Sequence, residues 1–114
     1  MNIKRGAVFL ANLDPVIGSE ISKTRPVVVV SNDKNNAFAP TVTVLPLTSQ
    51  NLTKIYPFEV LLTKGKGNLP KDSKVKADQI RTLDKRRLVA FIGYLDQDDM
   101  RLMEEAIKIH LGLS

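Results

Sequence analysis

The chain has 114 residues, with 17 Lys and Arg against 12 Asp and Glu for a net charge of +5, 43% hydrophobic residues, no Cys and one His. That size and composition suit a single domain over 1–114, in which folding buries roughly two-thirds of the surface of the unfolded chain. They exclude a disulfide scaffold, a thiolate zinc site, a cysteine nucleophile and any site that needs two histidines. No apolar run reaches the ~20 residues of a membrane span and no secretory signal is recognised, so the expected compartment is the cytoplasm, with no membrane partner.

In chain order, AVFLANL (7–13) reads as a strand closed by Asp14-Pro15, and 16–24 as an exposed loop around Gly18. Arg25-Pro26 then leads into four valines, Val27 to Val30, a β-branched run suited to a central strand buried on both faces. Proline lacks the ladder N–H, so Pro26 is expected at the first position of that strand. The segment 32–40 is rich in turn formers. TVTVLPL (41–47) reads as a strand in which Pro46 implies an edge or a bulge, with Thr48 directly after it. A strand over 56–62, a turn at Lys64-Gly65-Lys66-Gly67 and a partner near 73–80 form a hairpin, and 88–95 is the last strand.

From Asp96 the period turns helical. Met100, Met103, Ile107 and Leu111 share one face, with Leu102, Ala106 and Ile109 widening it. Asp96 is the expected N-cap and Gly112 the stop. Short strands followed by one helix predict a mainly β, α+β fold: a small, partly open antiparallel barrel of SH3-like or OB-like type with a C-terminal helix. The helix carries more apolar positions than one face needs, which leaves surface for a second copy.

Charge is unevenly placed: residues 1–95 carry 15 basic and 7 acidic groups, and 96–114 carry 2 and 5. Two dense basic stretches, 63–76 and 81–87, suit a polyanion or the acidic segment of a protein partner. His110 lies near the helix C-terminus, where the helix dipole favours a cation, and has no visible partners for catalysis. Lys64 to Gly67 lacks the spacing of a phosphate-binding loop and reads as a turn with solvated lysines. The acidic residues 98, 99, 104 and 105 read as a solvated helix face rather than a carboxylate pair. Arg25 and Thr48 remain, both at strand ends. Were those strands neighbours, a guanidinium and a hydroxyl would converge on one phosphate.

The segments KRGAVFLANLDPVIGSE, KTRPVVVVSND, TVTVLPLTS, DQIRTLDKRRL and the final HLGLS resemble the MazF/PemK toxins of type II toxin–antitoxin systems, over nearly the whole chain. The resemblance implies a homodimeric SH3-like, CcdB-like barrel that cuts single-stranded RNA, chiefly mRNA, at a short sequence. It implies no metal or other cofactor, 2′,3′-cyclic phosphate and 5′-hydroxyl products, and inhibition by a cognate MazE-like antitoxin. On that pattern Arg25 and Thr48 are the catalytic pair, and Ser19, Glu20, Ser49, Asp78 and Gln79 line the RNA groove. Asp78 stands where relatives often carry Glu, which bears on base preference rather than on the catalytic class. Aromatic residues make up only 5% of the chain, so base readout is expected to fall to polar groups in the loops at 14–24, 48–55 and 64–72. Two other classes stay open: a CcdB-like toxin acting on gyrase through its helix, and a barrel that binds nucleic acid without cutting it.

Overall fold

A computed structural model describes residues 2–114. The strands are β1 (Ala7–Asn12), β2 (Thr24–Val29), β3 (Thr41–Thr48), β4 (Glu59–Leu62), β5 (Ser73–Lys76), β6 (Arg81–Asp84) and β7 (Leu88–Tyr94), with helices α1 (Asp33–Phe38) and α2 (Gln97–Leu111). All pairings are antiparallel, in the order β4-β5-β3-β2-β1-β7, with β6 also on β3. The result is the expected open, barrel-like sheet with a C-terminal helix.

The valine run behaves as its composition demands. Val28 packs with Val8, Leu45, Leu47 and Met103 in one cluster, while Val27 and Val29 pack with Phe9, Val42 and Leu83 in another. Side chains alternate across a strand, so β2 is buried on both faces only because core lies on both sides of the sheet.

Both prolines depart from expectation. Pro26 is the third residue of β2, opposite Leu10 of β1. The β2–β3 ladder runs only from Val27 to Val29, so Pro26 lies beyond the pairing on that side and its missing N–H breaks no rung there. Pro46 lies in no edge strand, since β3 is paired on both sides. Along one side of β3, β6 covers Thr41 to Val44 and β5 covers Leu47 and Thr48. Pro46 falls in the gap where β3 changes partners, which is where a residue without a donor costs least.

The expected turn over 32–40 contains α1, capped by Asn32, whose side chain accepts from Asn35 N–H. A six-residue helix is too short for hydrophobic periodicity to reveal. The expected strand over 56–62 begins only at Glu59. In α2 the caps are as expected: Asp96 accepts from Asp99 N–H, and Gly112 adopts the left-handed conformation. Met100, Met103 and Ala106 are buried, but Leu111 is half exposed, as are Leu102 and Ile109. Leu111 is in the last turn, past the part of the helix that the sheet covers.

The turn between β4 and β5 folds across to β7. Asn68 Nδ2 donates to Ile92 O at 3.2 Å, and Lys66 Nζ reaches Asp99 Oδ1 at 3.0 Å. This seats Leu69 in the core and sets Pro70 and Lys71 beside the mouth of β2.

Candidate active site

The register of β2 on β3 pairs Val27 with Pro46, Val28 with Leu45 and Val29 with Val44. Two further steps along that register bring Arg25 level with Thr48. Both line a cleft of about 210 Å³ whose apolar walls include Leu10, Pro26, Leu47 and Pro70 and whose polar rim adds Ser49, Lys71 and Ser73. Arg25 Nε donates to Ser22 O at 3.2 Å, which leaves both terminal nitrogens of the fork for a ligand. Thr48 Oγ1 accepts from Gln50 N–H at 3.2 Å, so its hydroxyl proton stays available to donate.

Of the five other residues implied by the family pattern, four lie outside this cleft and one is on it. Ser49 is on the cleft rim. Ser19 and Glu20 are exposed on the first loop, where Glu20 Oε1 accepts from Ile17 N–H at 2.8 Å, and neither lines the cleft. Asp78 and Gln79 form a 3₁₀ turn after β5. Gln79 Oε1 accepts from Ile21 N–H at 3.3 Å, which ties that turn to the first loop one residue before the carbonyl that holds Arg25. Asp78 Oδ1 is buried without a hydrogen-bond partner and lies 3.9 Å from Lys76 Nζ.

The basic stretch 63–76 is not the open cationic surface its composition suggests. Lys66 pairs with Asp99, while Lys74 and Lys76 share Glu59. Among the described residues, only Lys64 and Lys71 of that stretch have no ion-pair partner. Lys66 is therefore not a freely solvated turn lysine: its bond to Asp99 raises its pKa above the ordinary value. Nor is Asp99 part of a solvated acidic face, since it is 5% exposed. Lys71 is the cleft residue that sequence reasoning did not single out, because it is one of five lysines alike in a local window. Only the fold of the turn places it next to Arg25.

The second stretch is spent largely on backbone. Arg81 donates to Leu13 O, Lys85 to Asn36 O, and Arg87 to the carbonyls of Asn12 and Asp14. Arg86 forks onto Asp84, and those bonds bring the Asp84 carboxyl down to about 2. Arg81 and Arg87 staple the start of the first loop to the sheet, and Lys85 does the same for α1. A wider recess of about 420 Å³ at the start of α2 is lined by Asp33, Asp96 and Glu104 with Arg5 and Arg101. Three carboxylates make it a poor seat for a phosphate.

A family model for the PemK-like, MazF-like toxin of type II toxin–antitoxin systems matches residues 4–111. The Endoribonuclease MazF9 of Mycobacterium tuberculosis is 42% identical over 116 residues, covering 97% of this chain and 98% of its own. MazF from Deinococcus radiodurans superimposes with a TM-score of 0.85 at 28% identity, over 99% of each chain. An endoribonuclease in complex with its cognate antitoxin, from a mycobacterial species, gives a TM-score of 0.80 at 26% identity over 98% of this chain and 97% of that one. Among the described residues no helix is long and apolar enough to cross a membrane.

Proposed function

The chain belongs to the PemK-like, MazF-like toxins of type II toxin–antitoxin systems, and from that premise we propose that Arg25 and Thr48 carry sequence-specific cleavage of single-stranded RNA. The carrying observation is that β2 and β3, neighbours in the sheet, deliver a guanidinium and a hydroxyl to one small cleft. Neither residue type is unusual at a strand end. Their convergence is what marks a phosphate site.

The reaction is transesterification within the RNA. The 2′-oxygen attacks the adjacent phosphorus, the bond from phosphorus to the 5′-oxygen breaks, and the products are a 2′,3′-cyclic phosphate and a 5′-hydroxyl. The proton lost from the 2′-hydroxyl is balanced by one gained at the leaving oxygen. Negative charge grows on the nonbridging oxygens, and preorganised donors aimed at it contribute about 3–4 kcal/mol each in comparable sites. The terminal nitrogens of Arg25 supply such donors, with Thr48 Oγ1 on the other strand. A guanidinium is a poor proton acceptor at neutral pH, so Arg25 is assigned charge stabilisation rather than the role of base. Lys71 on the rim adds a cation to the same cleft.

The protein acts as a homodimer in the cytoplasm, where mRNA is its substrate and a MazE-like antitoxin its inhibitor, and residues 1–114 form one toxin domain. Support for the dimer comes from Val89, Phe91 and Tyr94, which are half exposed on β7, an edge strand of the sheet. That strand, more than the extra apolar positions of α2, offers a second copy both backbone donors and apolar area.

The test is incubation of the purified protein with a long mixed-sequence RNA in EDTA, with the new ends mapped and their chemistry determined. Discrete cuts bearing 5′-hydroxyl ends are expected from the wild type, with at least ~100-fold slower cutting by Arg25→Ala and Thr48→Ala in folded protein. Cleavage near the wild-type rate in either variant overturns the assignment of the pair. Intact RNA with wild-type protein overturns the nuclease reading itself.

A further inference from the structure

Lys74 is 4% exposed, although it lies on the side of the sheet away from the core. Its register partners are Thr48 on β3 and Leu61 on β4. Leu61 is 45% exposed, whereas Leu47, Val75 and Val60, on the opposite face of the same strands, are buried in the core. What covers Lys74 is the loop that leaves β3 after Thr48. Its ammonium donates to Asn51 O at 3.0 Å, Lys54 O at 3.1 Å and Glu59 Oε1 at 3.1 Å, which uses all three N–H groups.

Glu59 completes the clamp. Its Oε1 also accepts from Tyr56 N–H at 3.0 Å and its Oε2 from Lys76 Nζ at 2.9 Å. Burial opposes ionisation of Glu59, but the bonds from Tyr56, Lys76 and Lys74 together outweigh it and hold the carboxyl below its ordinary value. Glu59 is therefore ionised at neutral pH. From Asn51 to Ile55, among the described residues, the two bonds from Lys74 are the only hydrogen bonds that tie the loop to the sheet.

We propose that Lys74 is a positioning residue for RNA recognition: its buried ammonium holds the carbonyls of Asn51 and Lys54 and so fixes, beside the scissile phosphate, the loop that starts at Ser49. The inference rests on the ribonuclease reading and deepens it. An anchored cation in β5, opposite Thr48 in the ladder, sets the loop relative to the catalytic hydroxyl itself. A loop free to fluctuate presents its polar groups to the bases in many geometries, and discrimination between RNA sequences falls because no single geometry is favoured. A role in stability alone would be better served by apolar residues, since a buried ion pair is commonly neutral or costly relative to them.

Lys74→Met removes the loop bonds and leaves Glu59 paired with Lys76. Should that variant fail to fold, the double variant Lys74→Met with Glu59→Leu removes the buried charges together and keeps the question open to test. Two readouts separate positioning from bulk stability. The first is native-state trypsin cleavage after Lys54, whose carbonyl is one of those held: about tenfold faster cutting is expected, with the rest of the chain resistant. The second is the spectrum of cut sites in mixed-sequence RNA, where discrimination between preferred and near-preferred sites should fall roughly 10–100-fold while the ends stay 5′-hydroxyl. An unchanged rate of cutting after Lys54, or an unchanged cut-site spectrum, overturns the proposal. If wild-type protein leaves RNA intact, it is the nuclease reading that fails, and the trypsin arm still decides whether Lys74 holds the loop.

Discussion

Gly93 is the point where β7 touches the turn between β4 and β5. A Cβ built there would lie 2.6 Å from Gly67 O, 2.8 Å from Gly67 C and 3.2 Å from Asn68 Cβ. To restore an ordinary contact the turn must retreat by about 0.8 Å, against backbone rather than a flexible side-chain end. The retreat is resisted by the Asn68 bond to Ile92 O, the Lys66 pair with Asp99 and the seating of Leu69, which is 2% exposed. Overpacking of this kind costs about 1–3 kcal/mol. With an unfolding entropy of ~2.1 cal/mol/K per residue, this chain loses about 4 °C of Tm per kcal/mol, so Gly93→Ala is expected to melt ~8 °C below wild type. Gly18→Ala is the comparison. Gly18 has φ +59 and nothing within 4 Å of its added Cβ, so only backbone strain of ~1 kcal/mol and a ~4 °C shift apply. Calorimetry or circular dichroism decides: a Gly93→Ala Tm within ~2 °C of wild type refutes the close approach. Because the turn runs on into Pro70 and Lys71, the same variant should also cut RNA more slowly at temperatures where it remains folded.

Removing the cap of α2 with Asp96→Ala deletes the bond to Asp99 N–H and should lower stability by ~1 kcal/mol, read as a Tm about 4 °C lower; an unchanged Tm sinks the capping argument. Glu59→Gln leaves Lys74 buried beside a neutral partner and should cost ~2 kcal/mol at pH 7. The folded pKa of Glu59 is below its ordinary 4.5, so the stability it contributes is fully present above that value and is lost as pH falls through the folded pKa. The Tm gap between wild type and Glu59→Gln should therefore be constant from pH 7 to about 5 and close below about pH 4.5; a gap that persists unchanged to pH 3 contradicts the clamp.

Much of the fold is legible in the residues because local and tertiary demands coincide. Val27 to Val30 reads as a central strand since only a two-sided core suits four adjacent valines, and Asp96 with Gly112 marks both ends of α2 by cap chemistry that needs no neighbour. The prolines mislead because a missing N–H matters only where a partner strand would accept it. Pro46 lies where β3 exchanges β6 for β5, a fact about pairing that no local window contains. The lysines mislead in the same way. Charge counting treats Lys64, Lys66, Lys71, Lys74 and Lys76 as one patch, and the fold sends three of them to Asp99 and Glu59.

The candidate site divides along the same line. Arg25 and Thr48 stand out in sequence as polar residues at the ends of two strands, and a resemblance spanning the chain names them. Their meeting is decided by the β2–β3 register, because residues 23 positions apart face one phosphate only if the two strands are antiparallel neighbours in that alignment. Lys71 in the cleft and Lys74 beneath the loop are decided by tertiary structure alone. Identical side chains three residues apart, one on a turn and one in a strand, take opposite fates, one open to a ligand and the other sealed under the loop, because burial is a property of what the rest of the chain places over them.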